Sequence, residues 1–74
     1  MKGVKITNHA IERFKQRYYE KYKSLPENIC RTMRLMMENA IFKKENHGAN
    51  IYKYNEMFEF VVVKNRVITF VVVD

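Results

Sequence analysis

Residues 49–73, which read ANIYKYNEMFEFVVVKNRVITFVVV, decide the fold of this chain. Polar and apolar side chains alternate along much of this stretch, and a period of two indicates β-strands rather than helices. We predict strands over residues 51–54, 57–63 and 67–73, joined by turns at 55–56 and 64–66. Because turns this short connect antiparallel neighbours, the three strands form a meander.

The pairing register of the last two strands predicts which side of the sheet is buried. With a three-residue loop at 64–66, one face is wholly apolar and takes the helices; it holds Phe58, Phe60, Val62, Ile68, Phe70 and Val72. The other face holds Glu59, Val61, Val63, Val67, Thr69 and Val71. The first hairpin leaves two alternatives, since a two-residue turn places Tyr52 and Tyr54 beside Glu59 and a longer turn places them in the core.

Two helices are predicted upstream of the strands. The first spans residues 8–23, with Thr7 or Asn8 as its N-cap. Three- and four-residue spacing makes one apolar stripe of Ala10, Ile11, Phe14, Tyr18 and Tyr22. The opposite side carries His9, Arg13, Gln16, Arg17 and Glu20.

The second helix is predicted over residues 25–43, where Ser24 and Glu27 form a capping box around Pro26. Its wide apolar face holds Ile29, Cys30, Met33, Met36, Met37, Ala40 and Ile41, with the methionines as flexible core fillers. We expect Cys30 to be a small buried side chain. The helix ends at residues 45–48, where Gly48 can take a positive φ.

These elements predict an α+β domain over residues 1–74. Two N-terminal helices pack on one face of a three- or four-stranded antiparallel meander, with residues 4–6 as a short edge strand. One cysteine in 74 residues excludes an intrachain disulfide. The chain opens without a secretory leader, and its apolar runs reach only about four residues, so we expect a cytoplasmic protein that does not span a membrane.

The positive charge is concentrated in the first third of the chain. The net charge is +6, and residues 1–23 hold seven Lys and Arg against two Glu, a net of +5. A concentrated basic face attracts polyanions such as nucleic acids. The alternative is a lysine-rich surface that only keeps the protein in solution.

The candidate site with the most specific residue pattern is on the first helix. His9, Arg13 and Arg17 are four residues apart and therefore line one ridge. The planar guanidinium of arginine suits phosphate oxygens. The positive end of the helix dipole favours a neutral imidazole at His9, which could then accept a proton. The alternative is a helix cap followed by exposed basic residues.

Other residues offer weaker chemistry. Tyr52 and Tyr54 could stack on nucleic-acid bases. His47, in a polar turn, is either a second acid–base group or an exposed loop histidine. No metal site is expected, because two histidines and one cysteine do not form a recognised ligand set. No cofactor is predicted, since no glycine-rich phosphate loop, nucleophile elbow or carboxylate pair is present.

The segment Ile6-Thr7-Asn8-His9-Ala10, followed by Arg13 and Arg17, resembles the T-x-H-A-x-x-R opening of a small domain family of uncharacterised function. That family is allied to RelE-type toxins, within the barnase, colicin and RelE ribonuclease group. The closing strand, residues 66–71, is similar to the family's last core strand. The likeness covers nearly the whole chain, but no distinct catalytic element is recognised after the final strand.

The resemblance implies a RelE-like fold and metal-independent RNA cleavage by attack of the ribose 2′-hydroxyl on its own phosphorus. It implies His9 as acid–base, Arg13 as the phosphate ligand and Arg17 as a weaker one. It also implies that Thr69 orients the substrate, that Lys64 and Arg66 add positive charge at the hairpin tip, and that Glu59 partners one of these groups.

The sequence indicates two main function classes and a third that is less favoured. The first is a toxin-like endoribonuclease acting on free or ribosome-bound RNA. The second is a non-catalytic accessory protein of phage or plasmid type, which grips nucleic acid, RNA or DNA, or blocks a host complex. The third is a protein–protein module, in which the edge of the last strand forms a homodimer or receives a partner strand.

Overall fold

The computed structural model describes residues 3–73 of the 74-residue chain. Its helices and strands follow in the order β1 (Lys5–Ile6), α1 (Asn8–Tyr22), α2 (Ile29–Asn39), β2 (Ile41–Asn46), β3 (Ala49–Tyr54), β4 (Phe58–Val63) and β5 (Arg66–Val72). The strands form one sheet in the order β1-β5-β4-β3-β2, in which β1 is parallel to β5 and the other neighbours are antiparallel. The α+β class is confirmed, but the sheet is mixed and five-stranded within the described residues, not an antiparallel sheet of three or four strands.

The first helix forms almost as predicted. Thr7, rather than Asn8, is its N-cap, and α1 ends at Lys23, which has a left-handed φ of 57°. Ala10 and Phe14 are fully buried, and Tyr18 packs half-buried against the core. The apolar stripe therefore holds α1 on the sheet, chiefly over β5.

The second helix is shorter than predicted. It begins after Asn28, whose side-chain oxygen accepts a hydrogen bond from the Arg31 N–H at 3.0 Å. The predicted capping box of Ser24 and Glu27 therefore does not begin the helix. The physical reason is Pro26, which disfavours helical geometry in the residue before it.

Cys30 lies in the first turn of α2 and is exposed, so the prediction of a buried thiol is wrong. The buried contacts of α2 come from later turns, where Met33 and Met37 are fully inaccessible to solvent. Their burial confirms the interpretation of these methionines as core fillers.

The second helix also ends earlier than predicted: residues 40–43 leave it, and residues 41–46 form a strand. Ala40 has extended geometry with a ψ of 151°, and β2 pairs with β3 from Ile41 onward. His47 and Gly48 make the connecting turn with φ values of 52° and 84°. Positive φ at both positions is the geometry of a tight two-residue hairpin, so Gly48 takes the predicted conformation in a β-turn and not at a helix end.

The β4–β5 hairpin differs from the prediction near its turn. It turns through Lys64 and Asn65 only, and the register shifts by one residue between Val61 and Val62. This bulge restores the expected pairing farther along the strands. Beside the turn it exchanges two side chains: Val67 is fully buried, whereas Ile68 is half-buried.

The β3–β4 connection follows the longer-turn alternative. Tyr54 pairs with Phe58 and Tyr52 with Phe60, so residues 55–57 form the loop. Since Phe58 and Phe60 are buried beneath the helices, both tyrosines lie on the helix side of the sheet, half-buried against the core.

The core lies between the two helices and one face of the sheet. Phe70 is its centre, with ring centroids 4.6 Å from Phe14, 5.2 Å from Phe60 and 5.4 Å from Phe58. The other face, which we call the open face, is not covered by any element of residues 3–73. Its central side chains are Ile51, Lys53, Glu59, Val61, Val63, Thr69 and Val71.

The edge of the last strand, predicted as a partner surface, is partly covered. β1 covers its first two residues, Arg66 and Val67. Farther along, Arg17 donates a hydrogen bond from Nη1 to the carbonyl oxygen of Phe70 at 2.6 Å. Within the described part of the chain, the long edge strand is instead β2, in which every residue is exposed.

Candidate nucleic-acid interface

Thr7 fixes the position of the candidate site relative to the sheet. Its Oγ1 accepts a hydrogen bond from the Ala10 N–H at 3.2 Å and donates one to the carbonyl oxygen of Val67 at 2.8 Å. The same hydroxyl therefore starts α1 and attaches its N-terminus to β5. As a result, His9 lies in the first turn of α1, above the start of the last strand.

His9, Arg13 and Gln16 form a continuous polar group, which we call the α1 ridge. Arg13 donates from Nε to His9 Nε2 at 3.5 Å and from Nη1 to Gln16 Oε1 at 3.2 Å. His9 and Gln16 are exposed and Arg13 is half-buried. These contacts hold the guanidinium along the helix surface and leave some of its five N–H donors for an anion.

Arg17 has a different environment from Arg13. It is half-buried, and its bond to Phe70 commits part of the guanidinium to the sheet edge. It also lines an open cleft of about 370 Å³ between α1 and β5, together with Glu20, Lys21, Val71 and Val72. This cleft was not predicted from the sequence, because it depends on how α1 crosses β5.

Thr69 lies on the opposite face of the sheet from the α1 ridge. It pairs with Val61, whereas the next residue, Phe70, contacts Phe14 of α1. The prediction of its face is confirmed, and the sheet separates Thr69 from His9. The two residues therefore do not share one cleft, and the structure does not bring Thr69 into one site with His9.

Tyr52 and Tyr54 are engaged in packing. The Tyr52 ring meets Phe42 edge-on at 5.7 Å, and the Tyr54 ring stacks near Phe58 at 6.3 Å. Because both lie on the helix side of the sheet, they are not available as an open platform for bases. They lie on that side because the β3–β4 turn has three residues rather than two.

The remaining predicted residues lie at turns and on the open face. Lys64 and Arg66 are exposed at the β4–β5 turn, which lies at the same end of the sheet as the β2–β3 turn with its exposed residue His47. Glu59 accepts a hydrogen bond from Lys43 at 2.6 Å, so its partner comes from β2 rather than from the hairpin tip.

Two other glutamates are also matched with lysines. Glu12 lies 3.8 Å from Lys15, and Glu56 lies 2.6 Å from Lys53. The hydrogen bond from Lys53 lowers the pKa of Glu56. In contrast, no carboxylate of residues 3–73 lies within ion-pair distance of Arg13. The α1 ridge thus keeps an uncompensated positive charge.

The described residues hold no group of three or more His, Cys, Asp or Glu side chains placed to bind a metal ion. No helix among residues 3–73 has the length and apolar character needed to cross a membrane. Comparisons with protein-family profiles, with curated proteins and with solved structures each return no match. The likeness to RelE-type toxins therefore depends on the sequence motif alone.

Proposed function

We propose that this protein binds nucleic acid, with RNA as the first candidate, through the α1 ridge. The observation that carries the proposal is Arg13, a guanidinium held in place by His9 and Gln16 with no carboxylate partner among residues 3–73. A positioned arginine fork matches the oxygens of a phosphodiester. The net charge of +5 on residues 1–23 would attract a polyanion to this side of the molecule.

The proposal is tested by fluorescence anisotropy with a labelled single-stranded RNA at several salt concentrations. Arg13→Gln should weaken binding and reduce the slope of log K against log salt by about 0.7, the value for one lost phosphate contact on a single strand. Lys15→Gln is the matched control, since that lysine is ion-paired with Glu12. An affinity that does not depend on salt, or equal losses in both variants, would refute the α1 ridge as the contact surface.

A second candidate is a metal-independent endoribonuclease of the toxin kind, allied to RelE. It is favoured by one observation, the exposed imidazole of His9 beside the guanidinium of Arg13. In this reaction His9 Nε2, released from its hydrogen bond with Arg13, takes the proton of the ribose 2′-hydroxyl. The 2′-oxygen attacks phosphorus, and the bond to the 5′-oxygen breaks as that oxygen takes a proton from solvent. The products are a 2′,3′-cyclic phosphate and a 5′-hydroxyl, and Arg13 stabilises the charge on the phosphorane.

The position of Thr69 weakens the catalytic candidate, because the sheet separates it from His9. Binding without cleavage is thus the function that the geometry supports best, and it fits an accessory protein of phage or plasmid type. Incubation of labelled RNA in EDTA separates the two candidates: cyclic-phosphate ends that disappear in His9→Ala support cleavage. Intact RNA that is still bound supports the binding function alone.

A further inference from the structure

We propose that a second phosphate-binding surface lies where β1 meets the β4–β5 turn, and that it binds the backbone of the same nucleic acid. It is formed by Lys5, Arg34, Lys64 and Arg66, and we call it the tip surface. This inference rests on the proposed function and extends it, because the ligand must then be a strand of several nucleotides rather than a single nucleotide.

Lys5 and Arg66 are direct neighbours across two strands. They are partners in the parallel register of β1 and β5, and strands in a sheet lie about 4.8 Å apart. Both side chains are exposed. Because Val4 and Val67 beside them are buried toward the helices, Lys5 and Arg66 project from the open face. Adjacent like charges repel, so an anion placed between them would relieve an unfavourable pair.

Lys64 and Arg34 bring further positive charge to the same end of the molecule. Lys64 lies in the tight turn two residues before Arg66, and it is exposed. Arg34, on α2, donates from Nη1 to the carbonyl oxygen of Val4 at 3.1 Å, which places its guanidinium beside the residue that precedes Lys5. The tip surface is thus built from three separate parts of the chain.

Hydrogen bonds hold the backbone of this surface in one geometry. The Lys5 N–H donates to the carbonyl oxygen of Asn65 at 3.0 Å, and Asn65 Nδ2 donates to the carbonyl oxygen of Gly3 at 3.0 Å. The β4–β5 turn is therefore fixed to β1. The cations of the tip surface are carried by an ordered backbone, which lowers the entropic cost of binding.

The tip surface differs in its charge balance from three lysines elsewhere in the molecule. Lys15, Lys43 and Lys53 are each ion-paired with a glutamate. No carboxylate within residues 3–73 lies within 4.0 Å of Lys5, Arg34, Lys64 or Arg66. These four cations therefore lack a counter-charge from the described chain, and phosphates are anions that would supply it.

Lys5 and Arg66 project from the opposite side of the sheet to the α1 ridge, so the two surfaces are connected around the sheet edge formed by β1. Thr7 follows Lys5 by two residues, and its hydroxyl is bonded to Val67, the neighbour of Arg66. His9 follows Thr7 by another two residues. A single strand that contacts the tip surface can therefore pass around the β1 edge of the sheet to reach Arg13. Since phosphates recur along the strand, both surfaces can be occupied by one ligand.

The test compares the double variant Lys5→Gln/Arg66→Gln with the control Lys15→Gln/Lys53→Gln, which removes the same charge from ion-paired sites. With labelled single-stranded RNA, we expect weaker binding for the first and a salt slope smaller by about 1.4, equal to two phosphate contacts. The control should keep the slope of the wild type.

A third variant, Arg66→Glu, replaces the repulsion between Lys5 and Arg66 with an attraction. It should therefore bind less RNA while its melting temperature stays the same or rises.

A second arm uses inorganic tripolyphosphate and the melting temperature of the protein. We expect tripolyphosphate to raise the melting temperature of the wild type and to leave Lys5→Gln/Arg66→Gln unchanged. If the wild type does not bind RNA but shows this stabilisation, the proposed function fails and the tip surface stands. If RNA binding depends on Arg13 while the tip variants keep the affinity and slope of the wild type, the tip surface is refuted and the proposed function stands.

Discussion

At the scale of single residues, two arginines one helical turn apart have different roles. Arg13 donates hydrogen bonds to His9 and Gln16 of its own helix, whereas Arg17 donates one to a backbone carbonyl of the sheet. From the sequence alone, Arg13 and Arg17 have equivalent positions on the helix, because they follow His9 by four and eight residues. The tertiary contact with Phe70 makes Arg17 chiefly a structural residue.

Arg17→Met should therefore lower the free energy of unfolding by about 1.5–3 kcal/mol, the contribution typical of a hydrogen bond from a charged group. The apolar part of the side chain is kept, so the loss isolates the bond to Phe70. Chemical denaturation of the variant beside Arg13→Met gives the measurement. Equal stability of the two variants would show that the Phe70 contact contributes nothing specific to folding.

At the scale of elements, the start of α2 illustrates how one proline overrides a plausible capping signal. Both Ser24 and Asn28 are good N-cap residues, and the sequence pattern favours Ser24 because Glu27 completes a capping box. The helix begins after Asn28 instead. Consequently four residues fewer are helical at its start, and Pro26 belongs to the connection between the two helices.

Asn28→Ala should lower the free energy of unfolding by about 1 kcal/mol, because the Arg31 N–H loses its acceptor at the start of α2. Ser24→Ala removes the N-cap predicted from the sequence, and it should change the free energy of unfolding by less than about 0.5 kcal/mol. Thermal and urea unfolding of both variants provide the comparison. A larger loss for Ser24→Ala would mean that the helix begins earlier than the structure places it.

At the scale of the whole molecule, stability depends on one small core centred on Phe70. Phe14 on α1 and Phe60 on β4 both contact it, and all three are fully buried. A chain of 74 residues has a small total stability, on the order of 4–11 kcal/mol at the usual value per residue. A single large cavity can therefore remove much of it.

Phe14→Ala should lower the free energy of unfolding by about 3–5 kcal/mol, as a large-to-small change in a closed core. Phe42→Ala offers a contrast, since that ring is 52% exposed on β2 and its loss leaves no internal cavity. Urea denaturation should thus show a marked loss for the first variant and a small one for the second. Comparable losses would contradict the position of the core.

The candidate site divides into residues that sequence could indicate and residues that it could not. His9 and Arg13 are adjacent on one helix, so their spacing alone places them together. Lys5 and Arg34 were not predicted, because a short strand and a distant helix meet at the hairpin tip only after folding. Nothing in the local sequence indicates that Lys5 and Arg66 become neighbours when β1 pairs with β5.

Local patterns by themselves determined the α+β class, the span of α1, the three C-terminal strands and the concentration of positive charge. Each of these depends on side chains close in sequence, where helical or strand periodicity acts directly. Only the tertiary structure decided the early end of α2, the conversion of residues 41–46 into β2, the bulge that buries Val67, and the separation of Thr69 from His9. These features depend on how the strands pair and how α1 crosses the sheet, and the free energy of those contacts outweighs local preference.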